Sequence, residues 1–258
     1  MKPNRLKPSL LLAVVGLSAA APAHALNYYE LEVYPYKTAA KGELELENAT
    51  SQTRSGPKAG GDGDASVSGQ VRTSFEATYG VTDKTEISAY GDFFRAPGAD
   101  WAFGGQRYHV RTRFFEKGEL PVDLGAYVEF EMPKHDTDTH EIEVRGIMEK
   151  DFGKWTFDFN PIFEKVLKGD AVSDGWSFQY AASAIYRLNE RVQPRLDFFG
   201  DFGQVRNFLP RAEQIHLISP AIDFHLEHNV KVQAGVAFGL TDATEQRLIR
   251  VRLEKEFY

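Results

Sequence analysis

Apolar and polar residues alternate with a period of two along almost the whole chain after residue 40. Over residues 230–240, Val230, Val232, Ala234, Val236, Phe238 and Leu240 share one parity, and Lys231, Gln233, Gly235, Ala237 and Gly239 share the other. Over residues 246–258, Ile249, Val251, Leu253 and Phe257 alternate with Arg250, Arg252, Glu254 and Glu256. Period two is the signature of a strand with two unlike faces. An apolar face, a charged face and an aromatic chain end together predict the closing strand of a transmembrane barrel. That strand must pair with the first one so that no edge is left in lipid.

The same alternation recurs upstream. Residues 41–53 set Leu44 and Leu46 against Glu43, Glu45 and Glu47; residues 70–80 set Val71, Phe75, Ala77 and Tyr79 against Arg72, Ser74, Glu76 and Thr78. Residues 85–94 oppose Ile87, Ala89 and Phe93 to Glu86, Ser88, Tyr90 and Asp92. Residues 106–115 oppose Tyr108, Val110, Thr112 and Phe114 to Arg107, His109, Arg111 and Arg113. Further strands are predicted at 123–133, 140–150, 155–167, 177–188, 192–202 and 214–226. With the two terminal ones this makes about twelve, each near the ten residues that a tilted crossing needs. The predicted fold is all-β, a transmembrane antiparallel up-and-down barrel. Pro161, Pro194 and Pro220 fall inside these strands and remove ladder donors, so bulges or strand ends are expected there.

Link lengths alternate as well. Short links at 81–84, 152–154, 189–191 and 227–229 interleave with longer ones at 54–68, 95–105, 134–139, 168–176 and 203–213; the link 116–122 is the exception. Tight periplasmic turns and longer external loops have this asymmetry. An even strand number is then expected to leave both termini on the periplasmic side. Residues 26–40 do not alternate, and their Tyr28, Tyr29, Tyr34 and Tyr36 suit an aromatic entry segment or a short plug.

Composition changes the picture at the N-terminus. Lys2, Arg5 and Lys7, the apolar run 10–20 and the small-x-small site Ala23-His24-Ala25 form a secretory signal peptide, too short to span a bilayer. The expected domains are a signal peptide, 1–25, and a single outer-membrane barrel, 26–258. Loss of those three cations takes the formal charge from -7 to -10. Such acidity argues against a nucleic-acid partner. The chain has no cysteine, and only 42% of it is hydrophobic. Both suit a closed sheet whose strands are half wet.

Barrel closure places Glu43, Glu45 and Glu47 beside Arg250 and Arg252, and this seam is expected to set the register. Arg107, Arg111 and Arg113 are expected between Glu86 and Asp92 on one side and Glu129 and Glu131 on the other. Arg195 shares a face with Asp197 and Asp201. These eleven site residues, Glu43, Glu45, Glu47, Arg107, Arg111, Arg113, Glu129, Glu131, Arg195, Arg250 and Arg252, are candidates for an electrostatic filter. The bland alternative is that the columns neutralise one another and stiffen a wall that nothing crosses. Barrels of about eight strands are filled and those of sixteen or more are open, which leaves twelve between them. Aromatic residues, 13% of the chain, fall mostly on the outer parity near strand ends, as interface girdles do; Tyr90, Tyr127 and Phe199 point inward.

Catalytic constellations are weak. Asp223 and His225 share a face, but Ser219 lies about 20 Å along the strand from His225, beyond hydrogen-bond reach. The run 134–140, with His135, Asp136, Asp138 and His140, is either a rim metal or acid-base site or a solvated turn. No phosphate-cradling or dinucleotide motif occurs. Neither enzyme activity nor any cofactor or metal is expected.

With these residues in view, the chain resembles an outer-membrane barrel family named for the phenol-degradation meta-pathway. The matching pieces are KGELELEN at 41–48, YGVTDKTEISAYGDF at 79–93 and FGLTDATEQRLIRVRLEKEF at 238–257. The family usually closes on an aromatic last residue; here Tyr258 follows Phe257. The resemblance implies an outer-membrane barrel with a transport role. It brings no catalytic residues and does not establish phenol as a substrate. The expected function is a channel or binding barrel for a small polar or charged solute; the alternative is a non-conducting barrel acting through its external loops. Its expected partners are outer-membrane lipid, the solute and the barrel-assembly machinery, which would engage the C-terminal strand.

Overall fold

A computed structural model describes Tyr28, Tyr29 and residues 31–57, 67–133, 140–169 and 172–258. The expected signal peptide, the centre of loop 54–68 and the His135-bearing loop lie outside the described residues. Twelve strands form one closed antiparallel barrel. They are β1 Leu44–Ser55, β2 Val71–Gly80, β3 Thr85–Arg95, β4 Ala102–Arg113, β5 Asp123–Pro133 and β6 His140–Phe152. Then come β7 Trp155–Lys168, β8 Trp176–Tyr186, β9 Val192–Gln204, β10 Ile215–Leu226, β11 Val230–Gly239 and β12 Arg247–Phe257. A two-residue strand, Asn207–Phe208, folds back on the end of β9. The barrel shuts where β12 meets β1, with Leu44 opposite Phe257.

Parity places each side chain as its chemistry requires. Leu46, Phe75, Ile87, Val110, Val128 and Val251 are exposed on the outside, while the interleaved Glu86, Asp92, Arg107, Glu129 and Arg250 are buried in the lumen. Trp155 packs on Phe157 and Tyr186 at the short-turn end. Phe163, Phe178, Phe202 and Phe208 form a ring cluster at the long-loop end. These are two interfacial girdles around an apolar belt, the surface of a membrane barrel. Val128→Arg, near the middle of β5 on that belt, is expected to destabilise the folded barrel by about 2–4 kcal/mol, read from urea unfolding in phospholipid vesicles. An unchanged midpoint would remove the belt assignment at that position.

The three prolines are not absorbed by bulges. Around Pro161 the β6–β7 ladder lapses between Arg145↔Ile162 and Met148↔Phe159 without a change of register. Around Pro220 the β10–β11 ladder lapses between Ile218↔Phe238 and Ala221↔Gly235 in the same way. Pro194 sits just past the last β8–β9 pair, Ile185↔Arg195. At Pro161 and Pro220 a missing donor therefore costs a local bond and no register, because the flanking pairs on both sides still hold. The register shifts lie elsewhere, between Thr53 and Ser55, Asp92 and Phe93, His140 and Glu141, and Ser177 and Gln179.

Candidate functional site

The lumen is lined by ion pairs that follow the wall. Arg107 on β4 donates through Nε to Asp92 on β3 at 2.8 Å and through Nη1 to Glu129 on β5 at 3.3 Å. Its Nη2 also reaches Ser74 at 3.2 Å, and the guanidinium lies 4.2 Å from the Tyr90 ring centroid. Arg111 pairs with Glu86 at 2.6 Å. Arg195 pairs with Asp197 at 2.8 Å and Asp223 at 3.1 Å. Each of these pairs joins the same or adjacent strands, so these charges brace the wall locally.

What crosses the bore is the stretch 28–40, no described residue of which belongs to a strand. It turns inward at Gly42, where φ is +85°, a left-handed conformation that glycine adopts freely. Gly42 N–H donates to the Gly80 carbonyl at 2.9 Å, and a Cβ on Gly80 would sit 1.8 Å from the Ala40 oxygen. The chain then rises through the lumen. Ala39 N–H donates to Glu86, and Tyr36 N–H to Glu149 Oε2 at 2.8 Å. Tyr34 N–H donates to Asn160 Oδ1 at 2.7 Å, and Asn160 Nδ2 donates back to the Tyr34 carbonyl at 3.1 Å. Arg145 donates to the Glu32 carbonyl at 3.3 Å, Arg250 to that of Leu31 at 2.8 Å and Ser51 to that of Tyr28 at 2.6 Å.

Side chains of the segment fill two pockets. The Tyr34 ring lies 4.8 Å from the Tyr127 ring and 4.9 and 4.7 Å from the guanidinium carbons of Arg111 and Arg145, with its hydroxyl 2.6 Å from that of Tyr90. Tyr28, Leu31 and Val33 pack on an inward apolar strip of Ile162, Ala181, Phe199, Leu217, Ala237 and Leu248. Tyr28 is thus at the long-loop end, beside Ser51 and Arg72, while β12 ends at the short-turn end. The expectation that both termini lie on one side is corrected for the described chain: twelve strands return β12 to the side where β1 begins, but the segment before β1 crosses the lumen again.

Beside the lower half of the segment a cavity of about 460 Å³ opens between Lys37, Thr38 and the wall, with Glu45, Glu76, Asp158, Lys231 and Glu254 among its lining. The long turn after β4 closes over this end. Tyr36 Oη donates to the Phe115 carbonyl, and Lys117 pairs with Glu149 and, at 3.0 Å, with Asp151. Burial opposes the Lys117 charge, but the hydrogen bonds and charges of Glu149 and Asp151 together outweigh it and hold the ammonium pKa above the ordinary lysine value. The link at 116–122 is long because it carries these contacts.

All eleven predicted site residues lie on lumen-facing strand positions or at their ends, and several meet partners other than those expected. Arg252 does reach Glu47, at 2.9 Å, and also Glu32, at 2.6 Å. Arg250 does not join the seam glutamates: it pairs with Asp197 and donates through Nε to Ser219 Oγ at 2.9 Å. The register decides this, since Ser51 faces Arg250 and Ala49 faces Arg252, two or more positions above Glu47. Glu45 faces Glu256, and Glu43 accepts from Ala40 N–H at 2.7 Å. Arg113 leaves the expected column for the turn, binding the Asp83 carbonyl at 2.8 Å and Glu116 at 3.0 Å. Glu131 faces Arg107 in register.

Residues the sequence did not single out grip the segment, namely Arg145, Glu149 and Asn160. Their only sequence signal is inward parity, which they share with dozens of wall positions. Of the weighed catalytic group, Ser219 is held by Arg250 and Asp223 by Arg195 and by Gln233 at 2.7 Å. His140 begins β6, with its ring 5.9 Å from that of Phe130.

Neither a family model nor a curated protein matches this sequence. Solved structures do resemble it. An outer-membrane channel of Pseudomonas putida F1 aligns with a TM-score of 0.60 at 13% identity, covering 88% of this chain and 100% of that one. The KdgM porin, solved in complex with disordered oligogalacturonate, aligns with a TM-score of 0.56 at 7% identity over 83% of this chain and 99% of its own. The NanC porin aligns at 0.54 and 6% identity over 83% and 98%. The shared feature is the fold, that of outer-membrane barrels.

Proposed function

We propose that this protein is a non-enzymatic outer-membrane channel that binds and passes a small polar or charged solute. One observation carries the reading: apart from the Arg250–Asp197 pair the strand charges are braced along the wall, and the bore is occupied by a segment that is no part of the sheet. A barrel that served only as a rigid body would need no such division, since interlocked wall side chains suffice to fill a narrow lumen. In this reading Glu43, Glu45, Glu47, Arg107, Arg111, Arg113, Glu129, Glu131, Arg195, Arg250 and Arg252 set the electrostatics of the path, and no metal or cofactor takes part. The chain reaches the membrane through a signal peptide cut after Ala25, and the barrel-assembly machinery takes it up by β12.

The test is ion conduction by the purified barrel in planar bilayers. Arg111→Ser with Arg113→Ser is expected to shift the reversal potential in a salt gradient toward cation selectivity, because one cation leaves the lower lumen and another the turn at its mouth. A folded barrel that never conducts, with or without residues 28–40 loosened, would support a closed interaction barrel acting through its loops instead.

A further inference from the structure

The occupant of the lumen shows what chemistry the lumen recognises. Three main-chain N–H groups of the segment, from Tyr34, Tyr36 and Ala39, are accepted by Asn160, Glu149 and Glu86, each on a different strand. Four main-chain carbonyls, from Tyr28, Leu31, Glu32 and Tyr34, accept from Ser51, Arg250, Arg145 and Asn160. These grips read amides and carbonyls of an extended chain. The main side-chain pockets are the aromatic and guanidinium cage around Tyr34 and the apolar strip under Leu31 and Val33, with Arg252 pairing to Glu32 between them.

We propose that the lumen is a binding site for short extended peptides, with residues 28–40 as its resident occupant. This rests on the channel reading and names its solute class. Main-chain recognition by an ordered set of donors and acceptors, with pockets for alternate side chains, is how extended peptides are bound elsewhere. The segment is separable from the barrel because the twelve strands close through their own ladders. The groups it would uncover include Glu86, Arg145, Glu149 and Arg250, which water solvates. A free peptide competes against a tethered one, so it binds measurably once the resident is weakened.

The experiment keeps the full chain and changes only the occupant. Leu31→Ser with Tyr34→Ala removes the two side-chain anchors without touching the wall, and single-channel conductance is expected to rise. A synthetic peptide with the sequence of residues 31–40, LEVYPYKTAA, is then added. Block is expected, and the same peptide N-methylated at the three amides of Tyr34, Tyr36 and Ala39 is expected to block at least about tenfold more weakly, having lost those donors. If conductance rises and both peptides block alike, or neither blocks, the peptide site is overturned while the channel stands. If neither protein conducts, the channel reading itself fails. Should the double variant not fold, binding of the fluorescent-labelled peptide and its N-methylated form to the wild-type barrel gives the same comparison, and equal affinities again overturn the proposal.

Discussion

Replacing Arg107 by alanine is expected to destabilise the barrel by about 3–5 kcal/mol, because it leaves the buried carboxylates of Asp92 and Glu129 facing each other without their shared cation. Arg107 is 1% exposed, so water cannot take its place without a rearrangement of the wall. Its guanidinium ties together four strands, β2 through Ser74, β3 through Asp92, its own β4, and β5 through Glu129. The loss also removes the cation held over Tyr90, whose hydroxyl meets that of Tyr34. Urea unfolding in phospholipid vesicles, followed by tryptophan fluorescence, measures the effect. Arg107→Met combined with Asp92→Asn and Glu129→Gln separates its causes. Removing all three charges together is expected to recover much of the loss, since an unpaired buried charge is worse than an uncharged cluster. A single variant with the wild-type midpoint would show that the column is solvated and contributes little.

Gly80→Ala is expected to free the lumen segment at its root. A Cβ there would meet the Ala40 oxygen at 1.8 Å and the Ala39 oxygen at 3.0 Å, both backbone atoms that cannot turn away. The chain must lift, and with it go the bond from Gly42 N–H to the Gly80 carbonyl and the alignment of Ala39 N–H on Glu86. The strand itself is spared, because β2 at this end keeps its pairs with β1 and β3. Two measurements follow. Trypsin cleavage at Lys37 and Lys41 is expected to speed up by about an order of magnitude, equivalent to ~1.4 kcal/mol taken from the seated state, and conductance is expected to rise in parallel. Faster cleavage with unchanged conductance would mean that the root moves while the upper grips at Asn160 and Arg250 still hold the bore shut.

Much of this molecule is legible in the chain because a barrel strand is a local object. Residue parity alone places Phe75 in lipid and Arg107 in the lumen, and the alternation of short and long links gives the up-and-down order. β5 and the starts of β7, β9 and β11 fall where the pattern changes. Ends were less legible. β1 begins three residues late because Lys41 to Glu43 form the inward turn, and β4 begins early because the aromatic contact of Phe93 with Phe103 extends the hairpin. Pro194 lies where its ladder with β8 ends, as expected, whereas Pro161 and Pro220 sit inside ladders without a bulge: a lost donor breaks one bond, and register is held by all the pairs around it.

The sequence by itself determined the class of surface, the closure of the sheet and the sign of each wall position, since these follow from a period of two and from what lipid and water tolerate. Only the tertiary structure decided which charges meet. Arg250 and the seam glutamates share the inner face of neighbouring strands, but Arg250 faces Ser51, four residues from Glu47, which sets them about 13 Å apart along the strand. It also decided the fate of residues 28–40. A non-alternating tyrosine-rich stretch carries no address, and its place in the bore depends on Glu86, Glu149, Asn160, Arg145 and Arg250, five side chains that become one surface only when the barrel closes.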